Sequence, residues 1–284
     1  MITIITDSAS DISQEEAESL HIRVLPITII FDGKDYLDSV TISQDEFYQR
    51  LTVDKEFPKT AQINPACFQK AFQEEVDKGN EVLCITLGAK LSGTYQSANI
   101  AAMEFQDKVL VVDSDNVCIA ERNLVYLAIQ DIQKGMSLKD IREHLDQKKK
   151  DLVIMAAVDT LEYLERGGRI SKAAAFFGNM LSIKPVVAVK EGEVKLIGKA
   201  RGYKNAHNLL TQLLKKGTKI DFSLPYAVAY SGNDKSLLNK YLETNKELYQ
   251  DKNLPIYRIG PTIGTHIGDG AVAVSFFKED GDDE

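Results

Sequence analysis

The sequence predicts an α/β protein with two domains, the first built on a mainly parallel sheet and the second on a mixed one. Three observations carry this. Short apolar runs alternate with amphipathic, capped segments through the first half, which implies a parallel sheet covered by helices on both faces. After Lys148-Lys149-Lys150 the texture changes, and Pro185–Val189 and Val194–Ile197 flank Lys190-Glu-Gly-Glu193 as a hairpin. A hairpin among helices calls for a mixed sheet. The boundary is placed near residue 155, giving an N-terminal α/β domain over 1–155 and a C-terminal one over 156–284.

The elements follow in order. Ile2–Ile5 reads as a strand, and Ser13-Gln-Glu-Glu16 as a capping box opening a helix to His21. Ile22–Phe31 carries strand character, and Ser43-Gln-Asp-Glu46 caps a second helix. Asn64-Pro65 places a cap and an N1 proline at the head of a helix that Gly79 ends. Val82–Ile85 reads as a buried strand, Tyr95–Phe105 as the helix behind it and Val109–Val112 as the next strand. Helices then span Cys118–Lys134 and start again at Ser137. Past a strand at Leu152–Val158, Leu161–Ser171 is a turn-rich connection. Beyond the hairpin come a helix (Lys204–Lys216), a strand (Tyr226–Tyr230), a helix (Asp234–Leu248) and a final strand (Ala271–Phe276).

Composition bounds the function. The 284 residues, 44% apolar and 27% charged, are those of a globular protein with ample core. A net charge of −8 argues against a nucleic-acid binder, which shows a basic face. The acidic tail, Glu279 to Glu284, is given no function. Cys67, Cys84 and Cys118 are scattered, with no CxxC and no Cys/His cluster, so they read as reduced thiols and neither a metal nor a disulfide framework is expected. No apolar stretch approaches the ~20 residues of a membrane span, and the N-terminus reads as a first strand, so a cytoplasmic protein is expected.

The segment Thr86-Leu-Gly-Ala-Lys-Leu-Ser-Gly-Thr-Tyr-Gln-Ser-Ala98 is the richest in chemistry. Ser92, Gly93 and Thr94 stand between a strand and a helix start, where free N–H groups and the dipole suit an anion. Gly88 and Gly93 have P-loop spacing, yet Thr94 stands where that motif needs lysine. The loop therefore suits an anion other than a nucleoside triphosphate. Thr60 lies just before the Asn64 cap, near a second helix start. Arg169 beyond the Gly-Gly turn, and Arg201 in Lys199-Ala-Arg-Gly-Tyr203, can pair with carboxylate or phosphate. Gly260-Pro-Thr-Ile-Gly-Thr-His-Ile-Gly-Asp-Gly270 reads as one glycine-rich loop holding His266. Asp7 and Asp11 fit either a magnesium site joined by Asp113 and Asp115, or caps of a turn and a helix start. The missing Asp-x-Asp pattern favours the caps. No Ser–His–Asp pattern with a nucleophile elbow appears, and no catalytic residue is assigned.

Taken together, Thr6-Asp-Ser-Ala-Ser-Asp11, Lys59-Thr-Ala-Gln62, Leu91-Ser-Gly-Thr-Tyr-Gln-Ser-Ala98, Leu161-Glu-Tyr-Leu-Glu-Arg-Gly-Gly-Arg-Ile-Ser171 and Ile259-Gly-Pro-Thr-Ile-Gly-Thr-His266 resemble the DegV family of bacterial proteins. The resemblance implies two α/β domains with a long-chain fatty acid buried between them and no other cofactor. It implies a non-catalytic subunit that presents the fatty acid carboxylate to a fatty acid kinase, which forms an acyl phosphate for phospholipid synthesis. Transient contact with a membrane surface is compatible with that role. By this resemblance Thr60 and Ser92, with Gly93 and Thr94, hold the carboxylate, and His266 supports the head group. Arg169 and Arg201 meet the kinase or the transferred phosphate. Two departures stand out: Ala61 and Ile63 replace a serine and a proline usual in the family, and Asp269 replaces a proline, bringing an acid toward the head-group site. Phe176, Phe177, Met180 and Leu181 fit either a tunnel wall or ordinary core. The alternative from a different class is a magnesium-dependent phosphotransferase or hydrolase using Asp7, Asp11 and Asp113.

Overall fold

Strand β1 (Ile2–Asp7) is the second strand of a four-stranded parallel sheet. Its neighbours are β2 (Arg23–Leu25) on one side and β6 (Glu81–Thr86) on the other, with β7 (Val109–Asp113) beyond β6. The computed structural model describes residues 1–53, 56–171, 182–216, 219–249 and 253–279. The aromatic and apolar candidates Phe176, Phe177, Met180 and Leu181 lie outside these residues.

The run of strand character over 22–31 holds two strands, β2 and β3 (Thr28–Phe31). Pro26 has no N–H to give a ladder, and the chain changes sheets there. After it, β3 pairs antiparallel with β4 (Lys34–Leu37) and β5 (Lys59–Ala61) in a separate three-stranded sheet. Helix α2 (Gln44–Val53) packs Phe47, Tyr48 and Leu51 against Ile29 and Phe31 of this sheet.

The helices around the parallel sheet start where their caps predict. Ser13 accepts from Glu16 N at the head of α1 (Gln14–Leu20), and Asn64 accepts from Cys67 N at the head of α3 (Pro65–Asp77). α4 (Thr94–Ala102) and α5 (Ile119–Gln133) follow, and Ser137 accepts from Asp140 N at the head of α6 (Leu138–Lys148).

From residue 152 onward all the strands join a six-stranded mixed sheet. They are β8 (Leu152–Ala157), β9 (Ile183–Lys190), β10 (Glu193–Arg201), β11 (Ala227–Tyr230), β12 (Ile256–Arg258) and β13 (Val272–Phe277), in the order β10-β9-β8-β13-β11-β12. Each neighbouring pair is antiparallel except β11 with β12. The β9–β10 hairpin turns at Glu191 (φ 54°) and Gly192 (φ 74°), the left-handed pair that a two-residue turn demands. The connection over 161–171 contains a short helix, α7 (Glu162–Arg166), and α8 (Gly202–Lys215) and α9 (Ser236–Thr244) cover the mixed sheet.

One element corrects the sequence reading. The glycine-rich stretch expected as a loop is the helix α10 (Pro261–Ile267), with Pro261 in its first turn and Gly268 (φ 74°) ending it. Gly264 is tolerated inside it because a Cβ there would meet Phe47 at 2.6 Å and the Tyr48 hydroxyl at 2.8 Å. Among the described residues no helix is long and apolar enough to cross a membrane.

Candidate functional site

Strands of the mixed sheet, β5 and the loops that leave the parallel sheet line an apolar cavity of about 240 Å³. Leu87 and Leu91, in the loop that leaves β6, face it on one side; Ile154, Val187 and Ala273 of the mixed sheet face it on the other. Its polar lining is concentrated in Thr60, Gln62, Ser92, Arg169, Thr262 and His266. A wider outer cleft shares Thr60, Arg169 and His266 with this cavity and adds Phe57, Lys59, Tyr163 and Arg166. The three shared residues therefore stand between an apolar interior and an open, cationic exterior.

His266 and Thr60 are hydrogen bonded, with Nε2 2.9 Å from Oγ1. Burial, helped by the nearby Arg169 charge, pushes the imidazole down to about 3, so it is neutral at ordinary pH. Its Nδ1 is buried without a protein partner. Arg169 is anchored by two backbone carbonyls, donating through Nε to Leu91 O at 3.0 Å and through Nη1 to Gly167 O. Burial lowers its pKa, yet a guanidinium stays charged. The site thus presents one fixed cation, two hydroxyls and a neutral imidazole around the end of an apolar space, a set suited to a carboxylate or a similar small anion.

Ser92 lies 3.0 Å from Thr94 Oγ1 and accepts from Thr94 N at 3.3 Å. Thr94 itself is fully buried, receives Ile63 N at 3.4 Å and lines neither cavity. The hydroxyl at the P-loop lysine position therefore orients Ser92 and ties the strand–loop–helix to the segment after β5. Gly93 lines the cavity, and a Cβ on it would lie 1.9 Å from Gln62 Oε1. The glycine leaves room for the Gln62 side chain, whose Nε2 donates to Ser97 Oγ of α4 at 3.2 Å; a larger residue would have to push that side chain aside.

Thr60, Ser92, Gly93, Arg169 and His266 are thus brought together. Arg201 is not: it is exposed at the junction of β10 and α8 and lines neither cavity. Asp269 lines neither cavity as well; its Oδ1 accepts from Gly270 N at 2.6 Å and occupies the space beside Gly232. At the other departure, Ile63 is core and Ala61 lines the cavity. Gln62, whose amide stands before the Asn64 cap, and Thr262, inside the glycine-rich segment, join the cavity lining, and nothing local in the sequence marks Thr262 for it.

The aspartates bind backbone. Asp7 accepts from Ala9 N and Leu87 N, each at 2.9 Å; Asp11 accepts from Gly260 N at 2.8 Å; Asp113 accepts from Ala89 N at 3.0 Å and Asp115 N at 2.9 Å. Burial pushes Asp7 and Asp11 up to about 7. These are turn and helix-start contacts, and among the described residues no group of three or more His, Cys, Asp or Glu side chains is arranged to hold a metal ion.

A family model described as "Uncharacterised protein, DegV family" matches residues 1–279. The chain belongs to the DegV family. A DegV domain-containing protein of Caldanaerobacter subterraneus subsp. tengcongensis is 34% identical over 279 residues, covering 98% of this chain and 99% of that one. Among solved DegV structures, a protein from Thermus thermophilus described by its fatty acid binding superposes with a TM-score of 0.87 at 31% identity, over 98% of this chain and 99% of that one. A stearic acid-binding protein from Eubacterium ventriosum gives 0.83 at 27% identity, over 98% of each chain. The DegV neighbours thus have the same α/β fold, with a parallel and a mixed sheet, and bind fatty acids.

Proposed function

We propose that this chain binds a long-chain fatty acid in the apolar cavity, with the carboxylate at Thr60, Ser92 and His266. The observation that carries the reading is the single polar end of an otherwise apolar enclosure. A carboxylate leaving water needs charge-assisted hydrogen bonds, and this end has hydroxyls and the half-buried Arg169 to supply them. The acyl chain gains about 0.8 kcal/mol per buried methylene, so the walls supply most of the affinity while the polar end sets the direction of entry. The fatty acid binding of the Thermus thermophilus and Eubacterium ventriosum relatives supports the same assignment.

The chain has no catalytic task in this reading. It presents the carboxylate at the outer cleft to a partner ATP-dependent fatty acid kinase, which forms the acyl phosphate that feeds phospholipid synthesis in the cytoplasm. Lys59, Arg166 and Arg169 around that cleft offer positive charge to a phosphoryl group on its way to the carboxylate. We divide the chain near residue 155, because the strands of the mixed sheet begin at Leu152.

Gently purified protein, extracted with organic solvent, should yield a fatty acid by mass spectrometry in about equimolar amount. Ser92→Ala should weaken oleate binding with the melting temperature unchanged. Lipid-free protein that also fails to bind added oleate ends this reading. Acyl hydroxamate formed from oleate, ATP and hydroxylamine only when this chain and the kinase are both present would support the second half of it.

A further inference from the structure

Helix α10, which carries His266, begins without a cap of its own. Its N-cap residue is Gly260, which makes no side-chain cap bond, although Asn, Asp, Ser and Thr are favoured there. The orphan amides reach carboxylates of distant segments instead. Gly260 N donates to Asp11 Oδ1 at 2.8 Å, and Thr262 N donates to Asp38 Oδ2 at 3.0 Å. Thr262 Oγ1 donates to the same Asp38 oxygen and lies 3.2 Å from Ser8 Oγ, which in turn accepts from Ile27 N at 3.0 Å. The carboxylates close around Gly260 so tightly that a Cβ on it would lie 3.1 Å from Asp11 Oδ1 and 3.7 Å from Asp38 Oδ1. Capping from outside therefore crowds the position where a capping side chain would stand.

We infer that Asp38 is a positioning residue for the head-group site, acting on His266 through Thr262, with Asp11 as the second anchor. Thr262 and His266 are four residues apart on a helix of only seven, so they stand one turn apart on the same face. In so short a helix, the direction fixed at the first turn is the direction of the last. The far end is set by the Thr60 bond to His266. Thr262 also lines the cavity itself, so a shift of this residue moves the wall and the head-group imidazole together. This gives Thr6-Asp-Ser-Ala-Ser-Asp11 a role without any ligand of its own: Ser8 and Asp11 brace the helix that carries the contact.

The inference rests on the fatty acid reading for its binding readout and on His266 itself for an independent one. Asp38→Ala removes the acceptor; Asp38→Asn keeps one oxygen for both Thr262 donors. Leu210→Ala, on the buried face of α8, serves as a control that destabilises the fold away from α10. Oleate affinity is measured well below each melting temperature, and the His266 ring nitrogens are followed by ¹⁵N NMR in histidine-labelled protein. Asp38→Ala should weaken oleate about tenfold or more, and Asp38→Asn by no more than about threefold, as expected for a lost and a retained hydrogen bond. The His266 signal should move in Asp38→Ala and stay in place in Asp38→Asn and Leu210→Ala. An unmoved signal in Asp38→Ala, or an Asn variant as weak as the Ala variant, overturns the inference. Failure of the unaltered chain to bind oleate would sink the fatty acid reading alone, because the NMR comparison would still decide the role of Asp38.

Discussion

His266 Nε2 lies 2.9 Å from Thr60 Oγ1, joining residues 206 positions apart. This bond ties the last turn of α10 to the edge strand β5, and both residues face the inner cavity and the outer cleft. Removing either partner leaves a buried polar group unmatched. Thr60→Val and His266→Leu should each weaken oleate binding roughly tenfold to a hundredfold, the worth of a hydrogen bond to a charged group. Fluorescent fatty acid displacement checks this. Affinities within a factor of about two of the unaltered chain would remove the pair from the site.

Gly167 is where the same imidazole meets backbone. A Cβ at this position would lie 2.3 Å from His266 Nδ1, too close for the ring to remain in place, and 3.1 Å from Tyr163 O, a contact relieved by a few tenths of an ångström of adjustment. Gly167→Ala should therefore displace the ring and break its bond to Thr60 while leaving helix α7 intact, since φ at Gly167 is −72°. Circular dichroism should be unchanged and oleate affinity reduced. Gly168→Ala makes the contrast: its φ of 72° strains any side chain, yet nothing lies within 4 Å of a Cβ there. That variant should lose stability, about 1 kcal/mol, more than affinity.

What could be read in the sequence was local. Ser13, Asn64 and Ser137 cap their helices because a cap is decided within three residues. The three-residue strand β12, and the pairing of β3 with β4 and β5 in a small sheet, are not legible in the sequence, since strands this short carry too little periodicity and their pairing is set by distant partners. The glycines of α10 suggest a loop through their conformational freedom, whereas Gly264 meets a packing requirement of Phe47 and Tyr48. The cavity's hydroxyls were legible as a group. Which of Ser92 and Thr94 faces inward was not, because that depends on the rotation of α4 against the segment holding Ile63. The contact of Asp11 with Gly260 spans 249 residues, and nothing local announces it.

Arg122 is the largest fully buried side chain and lies under the six-stranded sheet's edge, its guanidinium 3.4 Å from the centre of the Tyr257 ring. It pairs with Glu16 and donates through Nη1 to Asp11 O at 2.9 Å. Arg122→Met keeps the packing, takes the donor from the Asp11 carbonyl and leaves the half-buried Glu16 carboxylate without its cation, held by the Tyr126 hydroxyl alone. Stability should drop about 3 kcal/mol by urea unfolding. Arg122→Met with Glu16→Gln should recover part of that loss, because the stranded charge is then gone; a double variant no better than the single one would show that the ring stacking, rather than the ion pair, holds this region.

The pH dependence of stability has two opposed sources. The Asp11 carboxyl is pushed from 3.8 up to about 7 by burial, against the Cys118 thiol, the Gly260 amide and the Arg122 charge, with Asp38 adding to the rise. Asp7 is raised to about 7 by the same cause. The native chain holds these protons more tightly than the unfolded one, so their stabilisation is complete below about 4 and is lost as pH rises through about 7. His266 acts in the other direction. Burial lowers it from 6.5 to about 3, so the unfolded chain takes up a proton that the native chain refuses, and stability falls as pH drops below 6.5. Asp11→Asn retains an oxygen for Gly260 N and abolishes one of the raised titrations. Urea midpoints measured at about pH 5 and about pH 8 should differ less in Asp11→Asn than in the unaltered chain, with the gain concentrated at the alkaline end. Identical slopes in the two proteins would show that Asp11 is already ionised throughout this range.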